Sequence, residues 1–259
     1  QVRGRGAAPS PAGDAARPAL QRPQRLVQSA ADDAARRRAP SGIGLDSAAV
    51  RARMVERLRA AGIHEPRVLA AFGAVERHRF VDSALATQAY EDTSLPIGFG
   101  QTISKPLVWA QMLQVLIEGV PAPRPRRVLE IGTGCGYQAA LLARLAERVV
   151  SIERVGGLAE RARVNLAAAG VRQVHVLHGD GRLGAPAHAP FDAIVSAAGG
   201  VDLPAAWFDQ LAPGGRLVAP GAEVRPGVQE LVVVERGPSG PVRRIGGEVY
   251  FVPLKSGAE

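Results

Sequence analysis

Three glycines and three carboxylates, met in order along the chain, carry its most specific chemistry. In VLEIGTGCGY, residues 128–137, an apolar run ends in Gly132, Gly134 and Gly136, and a helical pattern begins near Tyr137. Glycine at such a turn lets the backbone bend sharply and approach a ligand where a Cβ would collide. A dinucleotide site also uses a glycine-rich turn, but its spacing is GxGxxG and its helix N-terminus faces a pyrophosphate. Here the spacing is GxGxG, and Glu130 stands two residues before the first glycine. A carboxylate there would repel phosphate and attract the cationic amino group of a sulfonium cofactor. Glu153 ends the next apolar run, about 20 residues on, where a carboxylate can accept from both ribose hydroxyls; taken alone it could be an ordinary acid at a helix start. Asp180 and Gly181 in GDGR end a third run. There the carboxylate can accept from an adenine amino group while the glycine leaves room for the ring, although Asp-Gly alone is also a plain turn. The three acid-bearing strand ends in succession point to S-adenosyl-L-methionine as cofactor and S-adenosyl-L-homocysteine as product.

For these groups to converge, the strands that end in them must lie side by side. From Arg127 onward, short β-branched runs alternate with helical segments, the pattern of a parallel sheet wrapped by helices. Strands are predicted at RVLEI, VVSIE, VHVLH, FDAIVS, GRLVAP, ELVVVE and VYFVPL, with helices between the early ones and only Pro/Gly-rich connections between the last three. The expected class is α/β: a Rossmann-like fold of the S-adenosylmethionine-dependent methyltransferase type. Its mostly parallel seven-stranded sheet would finish in a C-terminal antiparallel hairpin. Upstream, Asp46 or Ser47 can cap a helix through AAVRARMVERLRAA that Gly62 ends, and Pro66 suits the first turn of a second. The predicted organisation is a disordered extension over 1–44 and a methyltransferase domain over 45–259, with a helical cap and substrate loop over 45–105 and the core over 106–259.

Composition narrows the partners. The net charge of +8 sits largely in residues 1–40, which hold eight Arg against three acids; the remaining +3 is spread over 219 residues without a basic stripe. Nucleic-acid binding by the core is not expected. No apolar run approaches the roughly 20 residues that cross a bilayer, so no membrane span is expected. The single Cys135 fits a reducing compartment, and a cytoplasmic protein is expected. The Ala/Arg/Pro/Gly-rich start has too little apolar surface to fold and is expected to be dispensable.

Between cap and core lies AYEDTSLPIGFGQTISKPLVWAQML, residues 89–113, which a generic cofactor domain does not require. This segment, followed by VLEIGTGCGYQAALLA, GDG, APFDAIVSAA, APGGRLVAPG and FVPL, resembles the protein-L-isoaspartate O-methyltransferase family over about residues 46–255, some four-fifths of the chain. PIGFGQTIS is its most family-specific piece. The resemblance implies methyl transfer to the free α-carboxylate of L-isoaspartyl residues, or the side-chain carboxylate of D-aspartyl ones, in damaged proteins and peptides, with repair through a succinimide. It places the active-site residue at Ser104, with Gln101, Thr102 and Ile103 in the loop covering cofactor and substrate. The enzyme is expected to act as a monomer.

Other readings stand beside this one. Ser104 precedes the Lys-Pro opening PLVWAQMLQVLI and could also cap that helix. Cys135 lacks an evident His partner and reads as a small filler rather than a nucleophile. His175 and His178, three apart in a strand, fall on opposite faces and make a poor metal pair. Tyr90, Glu91 and Asp92 stand either beside the substrate cleft or in a surface loop. At the level of function, the alternatives are a peptide-specific aspartate O-methyltransferase and a non-catalytic cofactor-binding regulator. GGVDLPAAW, after FDAIVSAA, departs from the family pattern.

Overall fold

The computed structural model describes residues 48–118, 124–200 and 202–259. The expected extension over 1–44 and the cap at Asp46 or Ser47 lie outside them. Helix α1 (Ala48–Ala60) and helix α2 (Pro66–Ala74) follow the predicted cap. Glu65 starts α2, its carboxylate accepting from the Arg67 N–H while Pro66 occupies the first turn, where a missing N–H costs nothing. Two 3₁₀ turns, Arg77–Phe80 and Ser83–Gln88, lead to a short hairpin, β1 (Leu95–Gly98) with β2 (Gln101–Ile103), and then to α3 (Pro106–Glu118).

The core alternates as expected: β3 (Arg127–Ile131), α4 (Tyr137–Leu145), β4 (Arg148–Glu153), α5 (Gly156–Ala168) and β5 (Val174–His178). It continues with β6 (Phe191–Ser196), β7 (Ala198–Gly199), α6 (Ala205–Gln210), β8 (Leu211–Arg225), β9 (Val228–Gly237), β10 (Gly240–Val249) and β11 (Val252–Pro253). The main sheet has seven strands in the order β10-β9-β8-β6-β3-β4-β5. β5, β4, β3, β6 and β8 pair in parallel; β9 and β10 turn back antiparallel. Chain order reverses beside β3, whose neighbours are β4 on one side and β6 on the other, so the crevice at that point opens past the strands' carboxyl ends.

Strand alternation divides the core in two. Val128, Val149, Ala193, Val195 and Val218 face a cluster that also holds α4, α5, α3 and the cap residues Met54, Leu58, Val68 and Phe72. Leu129, Ile131, Val150, Ile152 and Ile194 face the other cluster, centred on Phe191 and Trp207. The cap is thus continuous with one face of the core.

Two predicted elements differ. The seventh strand is not VYFVPL but Gly240–Val249, an edge strand whose side chains, including Arg243 and Arg244, are mostly exposed. Within VYFVPL, Val252 and Pro253 instead pair with Ala198 and Gly199 in a separate two-stranded ribbon beside the crevice. Between β5 and β6 there are only 3₁₀ turns, Gly181–Leu183 and Pro186–His188, because GDGRLGAPAHAP carries three glycines and two prolines that deny a helix its hydrogen bonds. Among the described residues no helix is long and apolar enough to cross a membrane.

Candidate active site

A cavity of about 300 Å³ lies at the crevice. Its floor is made by the turns that leave the parallel strands: Gly132 and Gly134 after β3, Glu153 ending β4, Gly181 after β5, and Ala197 and Ala198 after β6. Its outer wall comes from the β1–β2 hairpin, with Gln101, Thr102 and Ser104, and from Val252–Lys255.

The glycine loop is tied down before any ligand arrives. The Gly132 N–H donates 2.8 Å to the Ile152 carbonyl, and the Gly134 N–H donates 2.8 Å to Oε2 of Glu153. Oε1 of Glu153 accepts from the Val155 N–H at 2.9 Å. Each carboxylate oxygen keeps a lone pair, so Glu153 is fixed and still able to accept from a vicinal diol. Gly132 and Gly134 both have positive φ, and a Cβ on Gly134 would stand 3.1 Å from Cδ1 of Ile97 in the hairpin above. At Gly181 a Cβ would meet Cγ2 of Ile131 at 2.6 Å, and the Gly181 carbonyl is held by the Trp207 indole N–H at 2.8 Å. The missing Cβ atoms of Gly134 and Gly181 thus let Ile97 and Ile131 pack directly on the turns that floor the cavity.

Four predicted residues fall outside the cavity wall. Gly136 starts α4 with φ +92, and a Cβ there would stand 3.2 Å from Leu166 Cγ and 3.3 Å from the Ala162 carbonyl; its role is close packing of α4 on α5. Ile103 is fully buried in the core, its strand neighbours Thr102 and Ser104 facing the cavity. Asp180 lies beside the cavity, with Oδ1 accepting from Arg182 N–H (2.8 Å) and Oδ2 from Gly257 N–H (2.7 Å).

Glu130 corrects the charge argument. It shares a strand face with Val128, beneath α4, and is fully buried. Its Oε2 accepts from Ser151 Oγ at 2.5 Å, Ser151 in turn meets Thr133 Oγ1, and its Oε1 has no partner among the described residues. Burial pushes its carboxyl up to about 8, against the Ser151 hydrogen bond, with the nearby Glu153 charge adding to the rise. At neutral pH Glu130 is therefore mostly a neutral acid bracing the glycine loop from below. The acid in the wall is Glu153.

Ser104 is half-buried, lines the cavity and has no hydrogen-bond partner among the described residues. It does not cap α3. That role falls to Asp92, whose Oδ1 accepts from the Leu107 N–H at 2.8 Å. Tyr90 is buried, its hydroxyl 2.6 Å from Nδ1 of His78, so neither residue borders the cavity. Cys135 is buried, and burial pushes its thiol up to about 11. His175 lies near the His188 ring while His178 meets the Glu259 carbonyl, so the two diverge. Sequence reasoning missed Gln138, Arg154 and Lys255 in the wall. The FVPL segment was visible in the sequence, but its position over the cavity depends on the β7–β11 pairing, which has no local signal.

A parallel sheet with a glycine-loop crevice and a carboxylate ending the second strand defines a Rossmann-like methyltransferase fold. The protein-L-isoaspartate(D-aspartate) O-methyltransferase family profile matches residues 49–259. A protein-L-isoaspartate O-methyltransferase of Methylibium petroleiphilum is 54% identical over 250 residues, 96% of this chain and 93% of its relative. One of Leptothrix cholodnii is 55% identical over 93% of this chain and 85% of its own length. Among solved structures, a protein-L-isoaspartate O-methyltransferase superposes with a TM-score of 0.70 at 28% identity, over 79% of this chain and 66% of the other. A Plasmodium falciparum structure of the same description, in complex with S-adenosyl-L-homocysteine, gives 0.66 at 25% identity, over 78% and 96%. The chain belongs to the protein-L-isoaspartate(D-aspartate) O-methyltransferase family.

Proposed function

We propose that this chain transfers a methyl group from S-adenosyl-L-methionine to the free α-carboxylate of L-isoaspartyl residues, and to D-aspartyl side chains, in damaged proteins. The single observation that carries the reading is the cavity in which Ser104, Glu153 and the Gly132–Gly134 turn face one space. The cavity's chemistry fits the cofactor: Glu153 would accept from the ribose, Ile131 and Gly181 in the lining would lie against a flat ring, and Asp180, next to Gly181, would accept from the adenine amino group.

When bound, the cofactor supplies an electrophilic methyl on a sulfonium sulfur. The acceptor carboxylate has an ordinary pKa near 4 and is ionised at neutral pH, so no general base is needed. The residues of this chain have to orient one carboxylate oxygen and keep water away. Ser104, whose hydroxyl has no partner among the described residues, would donate to the acceptor carboxylate, and such a charge-assisted hydrogen bond is the stronger kind. Gln101 and Thr102 close the wall above. The neighbouring peptide nitrogen then attacks the ester carbonyl and expels methanol to give a succinimide, and water opens that ring to return part of the material to normal aspartate.

The same reading makes the protein a cytoplasmic monomer that binds no nucleic acid through its core, supported by its single, buried cysteine and the spread of charge beyond residue 40. Mass spectrometry of an L-isoaspartyl peptide incubated with the protein and S-adenosylmethionine tests the chemistry. A methyl ester should appear first, then a succinimide, then the L-aspartyl peptide; a stable ester or no product would contradict the repair reading.

A further inference from the structure

The hairpin over the cavity is held by an unusual contact at its tip. Gly98, Phe99 and Gly100 all have left-handed backbone, with φ of +86°, +53° and +66°. Glycine adopts this conformation freely, whereas a phenylalanine there is strained. Phe99 is also 58% exposed, so core packing does not account for it. What the backbone achieves is to lay the ring on Gly157, in the first turn of α5. A Cβ at Gly157 would stand 2.5 Å from Cζ of Phe99 and 3.1 and 3.2 Å from Cε1 and Cε2, so the ring fills the space a side chain there would need. One turn on, Arg161 donates from Nη1 to the Ile97 carbonyl in the same hairpin.

The residue before Gly157 is tied to Glu259, which lies beyond the Val252–Lys255 wall in the chain. The Gly156 N–H donates 2.7 Å to the Glu259 carbonyl, and Arg154 pairs with the Glu259 carboxylate at 2.6 Å. The hairpin tip and the segment that follows Lys255 therefore meet adjacent glycines at one end of α5.

We propose that Phe99 is the positioning residue that latches the hairpin. With its ring seated on Gly157 it holds Gln101, Thr102 and Ser104 shut over the cavity, and its release is the step that admits S-adenosylmethionine and frees S-adenosylhomocysteine. This rests on the cofactor reading above. Neither Phe99 nor Gly157 lines the cavity, so changing them alters the gate rather than the binding groups.

Two variants separate the latch from ordinary packing. Phe99→Asn removes the ring and keeps a residue that tolerates left-handed backbone. Gly157→Ala leaves the ring present but takes its seat, and alanine is the better helix former, so the fold should not lose stability. Stopped-flow release of S-adenosylhomocysteine should quicken about three- to tenfold in each, the scale expected for losing a partly buried phenyl contact. The double variant should be no faster than the faster single one, with melting temperature held or raised in Gly157→Ala. Unchanged release, or effects that multiply in the double variant, would overturn the latch. Amide hydrogen exchange of residues 95–104 in the ligand-free chain provides a readout independent of the cofactor. Protection should fall in both variants, and protection equal to that of the unaltered chain would also overturn the latch. Absence of S-adenosylhomocysteine binding by the unaltered chain would instead overturn the cofactor reading, with the exchange result still deciding whether Phe99 holds the hairpin.

Discussion

Replacing Glu130 with Gln should change how stability depends on pH more than it changes stability itself. The Glu130 carboxyl is fully buried, and burial pushes it from 4.5 up to about 8. Between these values the folded chain holds a proton that the unfolded chain has released. The group's contribution to stability therefore falls as pH rises through that window and is level below about 4.5 and above about 8. The slope approaches ~1.4 kcal/mol per pH unit, and the accumulated cost is on the order of 5 kcal/mol at most, less any relaxation or water entry around the site. Glutamine keeps the shape and an oxygen to accept from Ser151, which now donates 2.5 Å to Oε2, but it cannot ionise. Urea unfolding of both proteins at intervals from pH 5.5 to 8, with m-values checked for constancy, isolates the effect because every other group titrates alike in the two chains. The variant should gain on the unaltered protein by ~1 kcal/mol or more per pH unit. A constant offset from the new amide hydrogen is immaterial. Parallel curves would refute the reasoning, since they would mean that the buried carboxyl titrates near its ordinary value.

The remaining expectations concern the site and its supports. Ser104→Ala should lower kcat about 10- to 100-fold while leaving cofactor affinity nearly unchanged, since one charge-assisted hydrogen bond is worth ~1.5–3 kcal/mol; equal kcat in steady-state assays would remove the serine from the reaction. Asp92→Ala should cost about 1 kcal/mol in chemical denaturation, because the Leu107 N–H at the start of α3 loses its acceptor. Gly181→Ala should weaken S-adenosylhomocysteine binding by calorimetry, because the new Cβ would sit 2.6 Å from Ile131 and push the turn into the cavity. Cys135 should resist thiol reagents in the folded protein and react at once in urea, as its thiol is buried and pushed up to about 11.

The parts of the fold legible in the sequence are those set by local rules. Glycine spacing marked the turn after β3, short β-branched runs marked the parallel strands, and the acids ending those runs marked where Glu153 and Asp180 would stand. What was not legible depends on which way a residue faces and on distant pairing. Spacing alone could not show that Glu130 points beneath α4 instead of into the cavity; strand alternation within the finished sheet decides that. Nor could it show that Asp92, 15 residues before the Leu107 N–H it accepts from, takes the capping role open to Ser104. VYFVPL looks more strand-like than GPVRRIGGEV because it is apolar, yet the latter forms the sheet edge, where exposed arginines guard against further pairing. Phe99 could not be singled out from sequence, because its significance lies in a backbone conformation and a glycine 58 residues on.

The identity of the methyl acceptor decides the function. The most direct measurement offers methyl-labelled S-adenosylmethionine to two peptides that differ only in carrying L-isoaspartate or L-aspartate at one position, and counts base-labile methanol from each. The account requires label in the isoaspartyl peptide and almost none in its partner. Equal label in both, or none in either, would contradict it.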